Sequence, residues 1–340
     1  MADVRRFVIQ QHDATRLHWD LRLEHEGTLR SWALPRGLPW NPKENRLAVH
    51  TEDHSLDFLD HRHLEQLGDD IDRQFGAGRS TQWDTGTYEV HKMEPEKVVF
   101  TLHGKRASGK YSLFSMRGSR DWLIHRMDPP DDVGRVAVPY GVVPMTASIG
   151  DPLAIIDDDA RGWAVEREFN GIRAVVTDDT GRVVITDAVG ADISLQFPEV
   201  RRIGRALGHR EVILDGVIVP VDATGEVLHD RSGLDRRMRI RSDSGARNAS
   251  RTGAPVVFMA FDILWTDGRP LTSLPWELRR RQLDDLRLNG PGWQTSPLLD
   301  LDDAIEIIEA EETGVVAKRH DAPYTIGATS TDWIRGGEST

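Results

Sequence analysis

The chain has 340 residues, 39% hydrophobic and 29% charged, with no cysteine and a formal net charge of -12. That length suffices for two domains with separate cores, and the absence of cysteine excludes disulfides, thiolate zinc sites and cysteine nucleophiles. No run approaches the ~18 apolar residues of a membrane helix, the opening MADVRRFVIQ has no signal-like apolar stretch, and a basic footprint over the whole chain is missing, so a cytoplasmic protein without a membrane partner is expected.

Residues 5–126 read as short strands parted by Gly, Pro and Asn signals: RFVIQQH, LHWDLRLE, SWALP, RLAVHTE, TYEVHKM, KVVFTLHG, KYSLFSMR and DWLIHRM. Many short strands with few helical patterns predict a small all-β, closed or nearly closed barrel. Residues 63–75, HLEQLGDDIDRQF, are the one helical or irregular insertion expected there. Residues 126–145 contain Pro and Gly without periodicity and read as a linker. Beyond them, strands such as RAVVTDD, RVVITDA, EVILDGVIVPVD and PVVFMAFDILWTDG alternate with helical stretches FPEVRRIGRALG, PWELRRRQLDDLRL and LDDAIEIIEAEE, an α+β pattern. Residues 235–253, DRRMRIRSDSGARNASRTG, are polar enough to predict an exposed, mobile loop. The expected division is a barrel domain over 1–128, a linker over 129–145 and an α+β domain over 146–340. Charge and histidine follow it. Residues 1–130 hold 19 basic and 20 acidic side chains and ten of the 13 histidines, so the acidic excess lies in the second part.

The stretch QHDATRLHWDLR carries the first chemical signal. On a strand, Leu17, Trp19, Leu21 and Leu23 point one way, and His18, Asp20 and Arg22 the other. His18 and Asp20 then stand ~6.7 Å apart at their backbones, close enough to lean onto one ion with ligand bonds of ~2.0–2.2 Å. A turn over Asp13-Ala14-Thr15 brings His12 back to join them. Two imidazoles and a carboxylate suit a transition metal better than magnesium or calcium. Arg22 cannot be a ligand but suits a phosphate beside the metal. The alternative from the residues alone is a pair of core histidines bonded to Asp20. His50 and His54, in RLAVHTEDH, share strand parity, and His54 is a candidate for proton transfer.

FVIQQHDATRLHWDLRLEHEGTLRSWALPRGLP, RLAVHTEDHSLDF, FGAG, WDTGTYE and WLIHRM together resemble the 3′-phosphoesterase domain of bacterial ATP-dependent DNA ligase D. The resemblance implies His12, His18 and Asp20 as metal ligands, Arg22 and Arg46 as contacts to the scissile phosphate, Arg36 as a further substrate contact in place of the family's lysine, and His54 as catalytic. It implies manganese, or another divalent transition metal, and DNA 3′ ends as substrate. Those ends include a primer-template bearing a 3′-ribonucleotide, within end joining. Phe58 departs from the family's tyrosine, and the segment before FGAG is longer.

Residues 139–335 resemble the adenylation domain of the same ligases, through VVPMTAS, EREFNGIRA, ILDGVIV, FMAFDILWTDGRPLTSLPWELRR, TGVVAKRHDAPY and DWIR. The implied fold is a nucleotidyltransferase, ATP-grasp-like adenylation fold, here expected to lack the OB domain. Glu168 occupies the position of the nucleophilic lysine, which a carboxylate cannot replace in forming a phosphoramidate. Asn170, Val217 and Thr313 stand where the family has acidic residues, and Arg335-Gly336-Gly337 replaces Lys-x-Lys. Arg173 is retained. The expectation is therefore a metal-dependent 3′-end-processing phosphoesterase, nucleoid-associated when acting on DNA, fused to a pseudo-ligase without an ATP requirement. The alternative is a non-catalytic scaffold for DNA ends or end-joining repair proteins.

Overall fold

The computed structural model describes residues 4–13, 17–59, 79–116, 119–129, 132, 134–158, 162–208, 210–222, 224–228, 230–253, 255–309 and 314–336. The insertion expected over 63–75, the FGAG turn and Thr313 lie outside them. The chain divides into two compact units, Met1–Arg135 and Val136–Thr340. No helix among the described residues is long and apolar enough to cross a membrane.

The first unit is a closed antiparallel barrel of β1 (Val4–Asp13), β2 (Leu17–His25), β3 (Thr28–Leu34), β4 (Asn45–His50), β5 (Arg79–Met93), β6 (Lys97–Gly104), β7 (Ser108–Ser115) and β8 (Asp121–Arg126). The strand order is β1-β2-β3-β4-β8-β7-β6-β5, with β5 returning to β1. Alternation along β2 sends Trp19, Leu21 and Leu23 into the lumen beside Trp32, Ala48, Phe100 and Trp122. The opposite parity faces outward. The β2–β3 hairpin turns at Glu26-Gly27, both with positive φ (48° and 81°), as a tight two-residue hairpin requires.

The second unit is α+β. Its elements are β9 (Thr146–Ile149), α1 (Pro152–Asp158), β10 (Trp163–Arg167), β11 (Ile172–Asp179), β12 (Arg182–Asp187), α2 (Ile203–Leu207), β13 (Glu211–Pro220), α3 (Ser232–Met238), α4 (Asp243–Thr252), β14 (Val256–Thr266) and β15 (Arg269–Pro270). After them come α5 (Trp276–Asp285), β16 (Asn289–Gly290), β17 (Trp293–Thr295), β18 (Leu298–Leu299), α6 (Leu301–Glu309), β19 (Val315–Arg319) and β20 (Thr329–Arg335). One sheet runs β18-β10-β19-β20-β9; the other runs β12-β11-β13-β14-β17-β16, with β15 beside β14.

The larger sheet is apolar on both faces. Ala174, Leu214, Phe258 and Ala260 pack with Ile203 of α2, Leu234 of α3 and Leu283 of α5. Val175, Ile213, Val217, Met259 and Phe261 face the smaller sheet and meet Ala164 and Trp333. This double burial explains why β13 and β14 lack alternation in sequence. Val138, Val142 and Met145 are buried in the same inter-sheet core. The stretch expected as a linker is thus, from Val136 onward, part of the second unit.

Residues 235–253 also differ from expectation, because they build α3 and α4 instead of a loop. Ser242 caps α4 by accepting from the Gly245 N–H at 3.2 Å, and Leu234 and Ala246 supply buried anchors. Arg237 fastens α3 through Glu199 and the Gln196 carbonyl (2.9 Å). Too few apolar residues carry these helices for a periodic signal to appear in sequence.

Arg279 of α5 is wholly buried and forks onto Asp262 of β14 at 2.8 and 2.9 Å, while also donating to the Leu274 and Ala322 carbonyls. Arg279→Ala is expected to destabilise the chain by about 3–5 kcal/mol, because it strands the Asp262 charge in the core. Urea denaturation of the wild type and variant measures this.

Candidate metal centre and inter-sheet cavity

The outward faces of β1 and β2 carry the predicted trio. His12 pairs with His18 across the ladder, so both rings lie side by side with centroids 4.8 Å apart. Asp20 reaches both: His12 Nδ1 lies 3.8 Å from one carboxylate oxygen and His18 Nε2 lies 3.6 Å from the other. One ligand atom from each residue falls within 4.8 Å of the others. Two donors on one ion with bonds of ~2.1 Å stand roughly 3–3.5 Å apart, so a small inward shift closes the set. Two imidazoles and one carboxylate on one face, with positions left for substrate, fit a divalent transition metal.

Arg22 sits beside this trio, 4% exposed. A guanidinium that buried keeps its proton and must find partners. Its Nε donates to Gln10 Oε1 (2.9 Å), one terminal nitrogen to Ser31 Oγ (3.2 Å) and the other to Asp20 Oδ2 (3.2 Å). The Phe58 ring lies 5.3 Å from its charged carbon, and Gln10 Nε2 donates to the Phe58 carbonyl. His54 joins through Ser31, with Nδ1 3.1 Å from the hydroxyl, and its ring meets the Phe58 ring edge to face. Burial and the neighbouring Arg22 charge pull the His54 pKa from 6.5 down to about 4. The imidazole is therefore neutral near pH 7.

The structure thus brings His12, His18, Asp20, Arg22 and His54 together. It places Arg46 on the other face of the sheet. On β4, Arg46 shares parity with Ala48 and pairs with Ile124, both inward, whereas Arg22 is outward. Its guanidinium donates to the Arg36 and Leu38 carbonyls and to Glu44 at 3.2 Å. Arg36 meets the same Glu44 carboxylate at 2.9 Å. In this structure Arg46 clamps the loop after β3. Gln10 and Ser31 are not among the residues expected from sequence. Gln10, two residues before His12 on the same face, was available from alternation; Ser31 depends on the β2–β3 register.

In the second unit, a cavity of about 600 Å³ opens between the two sheets, lined by Glu168, Arg173, Val217, Phe261, Lys318 and Trp333 among others. Glu168 follows β10 and pairs with Arg335 at 3.3 Å. Asn170 is exposed between β10 and β11. Arg173 forks onto Asp215 with two 2.7 Å bonds, and Tyr324 donates to the same carboxylate at 2.6 Å. Val217 faces Arg173 across the ladder. Gly171 has no room for a side chain, since a Cβ there would stand 2.3 Å from the Ile218 carbonyl oxygen. Lys318, the sole lysine in residues 136–340, is a further cavity residue; it stands in TGVVAKRHDAPY but is not among the expected site residues. Its Nζ is 3.0 Å from Glu166 and lies over the Phe261 and Trp333 rings at 4.0 and 4.3 Å. Burial pulls the Lys318 pKa down, with Glu166 opposing.

Residues 144–335 match the ATP dependent DNA ligase domain family and residues 10–115 the DNA Ligase D 3'-phosphoesterase domain. The chain belongs to the ATP-dependent DNA ligase family, with a ligase D phosphoesterase domain before its ligase domain. It is similar to the multifunctional non-homologous end joining protein LigD of Mycolicibacterium smegmatis, at 35% identity over 97% of this chain and 41% of that protein. The protein of that name from Pseudomonas aeruginosa is 28% identical over 97% of this chain and 43% of its own length. The chain therefore spans about two fifths of the length of these curated relatives. A solved structure of mycobacterial DNA ligase D complexed with ATP and MES is similar at 28% identity and a TM-score of 0.46, covering 59% of this chain and 62% of that one.

His54 also sets a pH signature. A depressed folded-state pKa means that the unfolded chain takes up a proton first as pH falls, so stability is lost from about 6.5 down to about 4. His54→Ala is expected to flatten that portion of the stability-pH curve, read by urea midpoints in a chelator.

Proposed function

We propose that the first unit is a metal-dependent phosphoesterase that processes DNA 3′ ends in end joining, resecting 3′-terminal ribonucleotides and removing 3′-phosphates, with manganese as the metal. The supporting observation is the convergence of His12, His18 and Asp20 with a pre-oriented Arg22 and a neutral His54. A divalent metal on the trio would supply Lewis-acid polarisation of a phosphate oxygen. Arg22, held by Gln10, Ser31 and Asp20, directs its remaining N–H groups toward the phosphate and offsets its charge. His54, neutral and steadied by Ser31, accepts or returns a proton at the attacking or leaving oxygen. Arg46 acts indirectly, by fixing the loop that carries Arg36. The test is a primer-template ending in one ribonucleotide, incubated with manganese. Wild type should release the terminal nucleoside, and His18→Ala should lose at least about 100-fold, beyond the usual cost of an outer-shell change. Equal inertness of both proteins would favour the scaffold reading, in which Phe58 merely covers Arg22.

We infer that the second unit does not form a lysyl-adenylate. Glu168 stands at the nucleophile's position and is tied to Arg335, and Lys318 is held by Glu166. Arg173, Asp215, Tyr324 and Gly171 carry packing and hydrogen bonding that the fold needs without that chemistry. Incubation with radiolabelled ATP should leave the chain unlabelled. Glu168→Lys alone should remain unlabelled too, because Asn170 and Val217 still lack the family's carboxylates. A label on the wild type would overturn this part.

A further inference from the structure

Residues 136–340 contain 23 basic and 33 acidic side chains, yet residues 231–251 contain seven arginines and only two aspartates. The rest of that unit has 16 basic against 31 acidic residues. The arginines are thus concentrated at the start of α3, in α3 and α4 and in the turn between them, on an otherwise acidic unit. Arg231, Arg236, Arg239, Arg241, Arg247 and Arg251 are all exposed. Arg237 alone is turned inward, onto Glu199. That inward pair fastens α3 beside the turn holding Arg201 and Arg202, which are exposed as well.

The two helices lie side by side. Arg236 and Ile240 from the α3 side and Ala249 and Thr252 of α4 line a shared cavity of about 340 Å³. The surface lies behind the larger sheet, away from the cavity between the two sheets. Leu234 packs with Phe258 and Ala260, whereas Met259 and Phe261 of the same strand face the other way. The arginines of α3 and α4 therefore stand outside the lining of that cavity.

We infer that the α3–α4 face is a docking surface for the phosphate backbone of duplex DNA. Guanidinium groups engage phosphates through paired N–H donors and need no apolar partner. A protein interface of this kind would need buried apolar or aromatic anchors at its centre. No large hydrophobic residue is exposed between residues 190 and 277 among those described. Phosphate contacts alone position a protein on DNA without reading its sequence. The choice of DNA as the polyanion rests on the end-processing reading above; the location of the surface does not.

The experiment uses the full chain in chelator, so that phosphoester cleavage cannot intervene. Binding of a fluorescent duplex is measured across a salt series for wild type, Arg236→Ala/Arg239→Ala/Arg247→Ala and the matching triple lysine variant. The alanine variant should bind about tenfold or more weakly, with the slope of log affinity against log salt lowered by about 0.9 for each phosphate no longer neutralised. The lysine variant should keep most of the wild-type slope, which separates removal of charge from misfolding. Equal affinity and slope for wild type and the alanine variant would overturn the inference, as would absence of duplex binding by wild type. Displacement of the duplex by polyglutamate at equal charge would overturn it in favour of an acidic protein partner. Manganese-dependent cleavage of the ribonucleotide primer, run in parallel, reports separately on the end-processing reading.

Discussion

A buried guanidinium organises the first unit. Arg22 cannot shed its proton at any pH the protein meets, and at 4% exposure it cannot rely on water. Its partners come from three adjacent strands: Gln10 on β1, Asp20 on β2 and Ser31 on β3. They meet only if β1 pairs with β2 at Val8↔Arg22 and β2 with β3 at Arg22↔Ser31. A slip by one residue in either ladder would send these polar groups into a lumen filled with tryptophan and leucine. Barrel register and site geometry are therefore one constraint. The same bonds that satisfy Arg22 aim it at the space beside His12, His18 and Asp20.

The second unit handles its charges differently. Its cations in and beside the core are held by acids of the fold: half-buried Arg173 by Asp215, and buried Arg279 and Lys318 by Asp262 and Glu166. Removing either member of such a pair costs far more than the pair contributes. Arg173 and Gly171 are therefore fixed by the fold itself, Arg173 through Asp215 and Gly171 by the close approach of the Ile218 carbonyl. Their replacement would strand a charge or force strands apart, whatever happens at the cavity. Charge outside the core obeys no such restriction, and there the arginines gather on α3 and α4, behind the sheet.

Much of this architecture was legible in the sequence. Alternation in LHWDLRL set the inner and outer faces of β2 and put His18 and Asp20 on one side, while His12 joins them through the pairing of β1 with β2. The order of strands and turns in the first part, and the mixed pattern in the second, led to the barrel and the α+β unit. Three features resisted. Arg46 differs from Arg22 in parity only when β3 and β4 are registered against each other. Residues 235–253 hide two helices because Arg237, Leu234 and Ala246 anchor them, with no apolar stripe to announce them. Lys318 stands out as the only lysine of its unit, but its confinement over Phe261 and Trp333 depends on strands far apart in the chain.

The sequence by itself determined which residue types were available, and on which face of each strand they fall. The period of two along a strand is a local property. It also determined that Glu168 and Asn170 stand in EREFNGIRA, since identity at a position needs no fold. Only the tertiary structure decided which outward faces meet. Ser31 and Gln10 became partners of Arg22, Arg46 became a clamp on its own loop, and the arginines of α3 and α4 became a surface behind the cavity. Those outcomes depend on strand register and on burial of charge, which arise between segments distant in the chain.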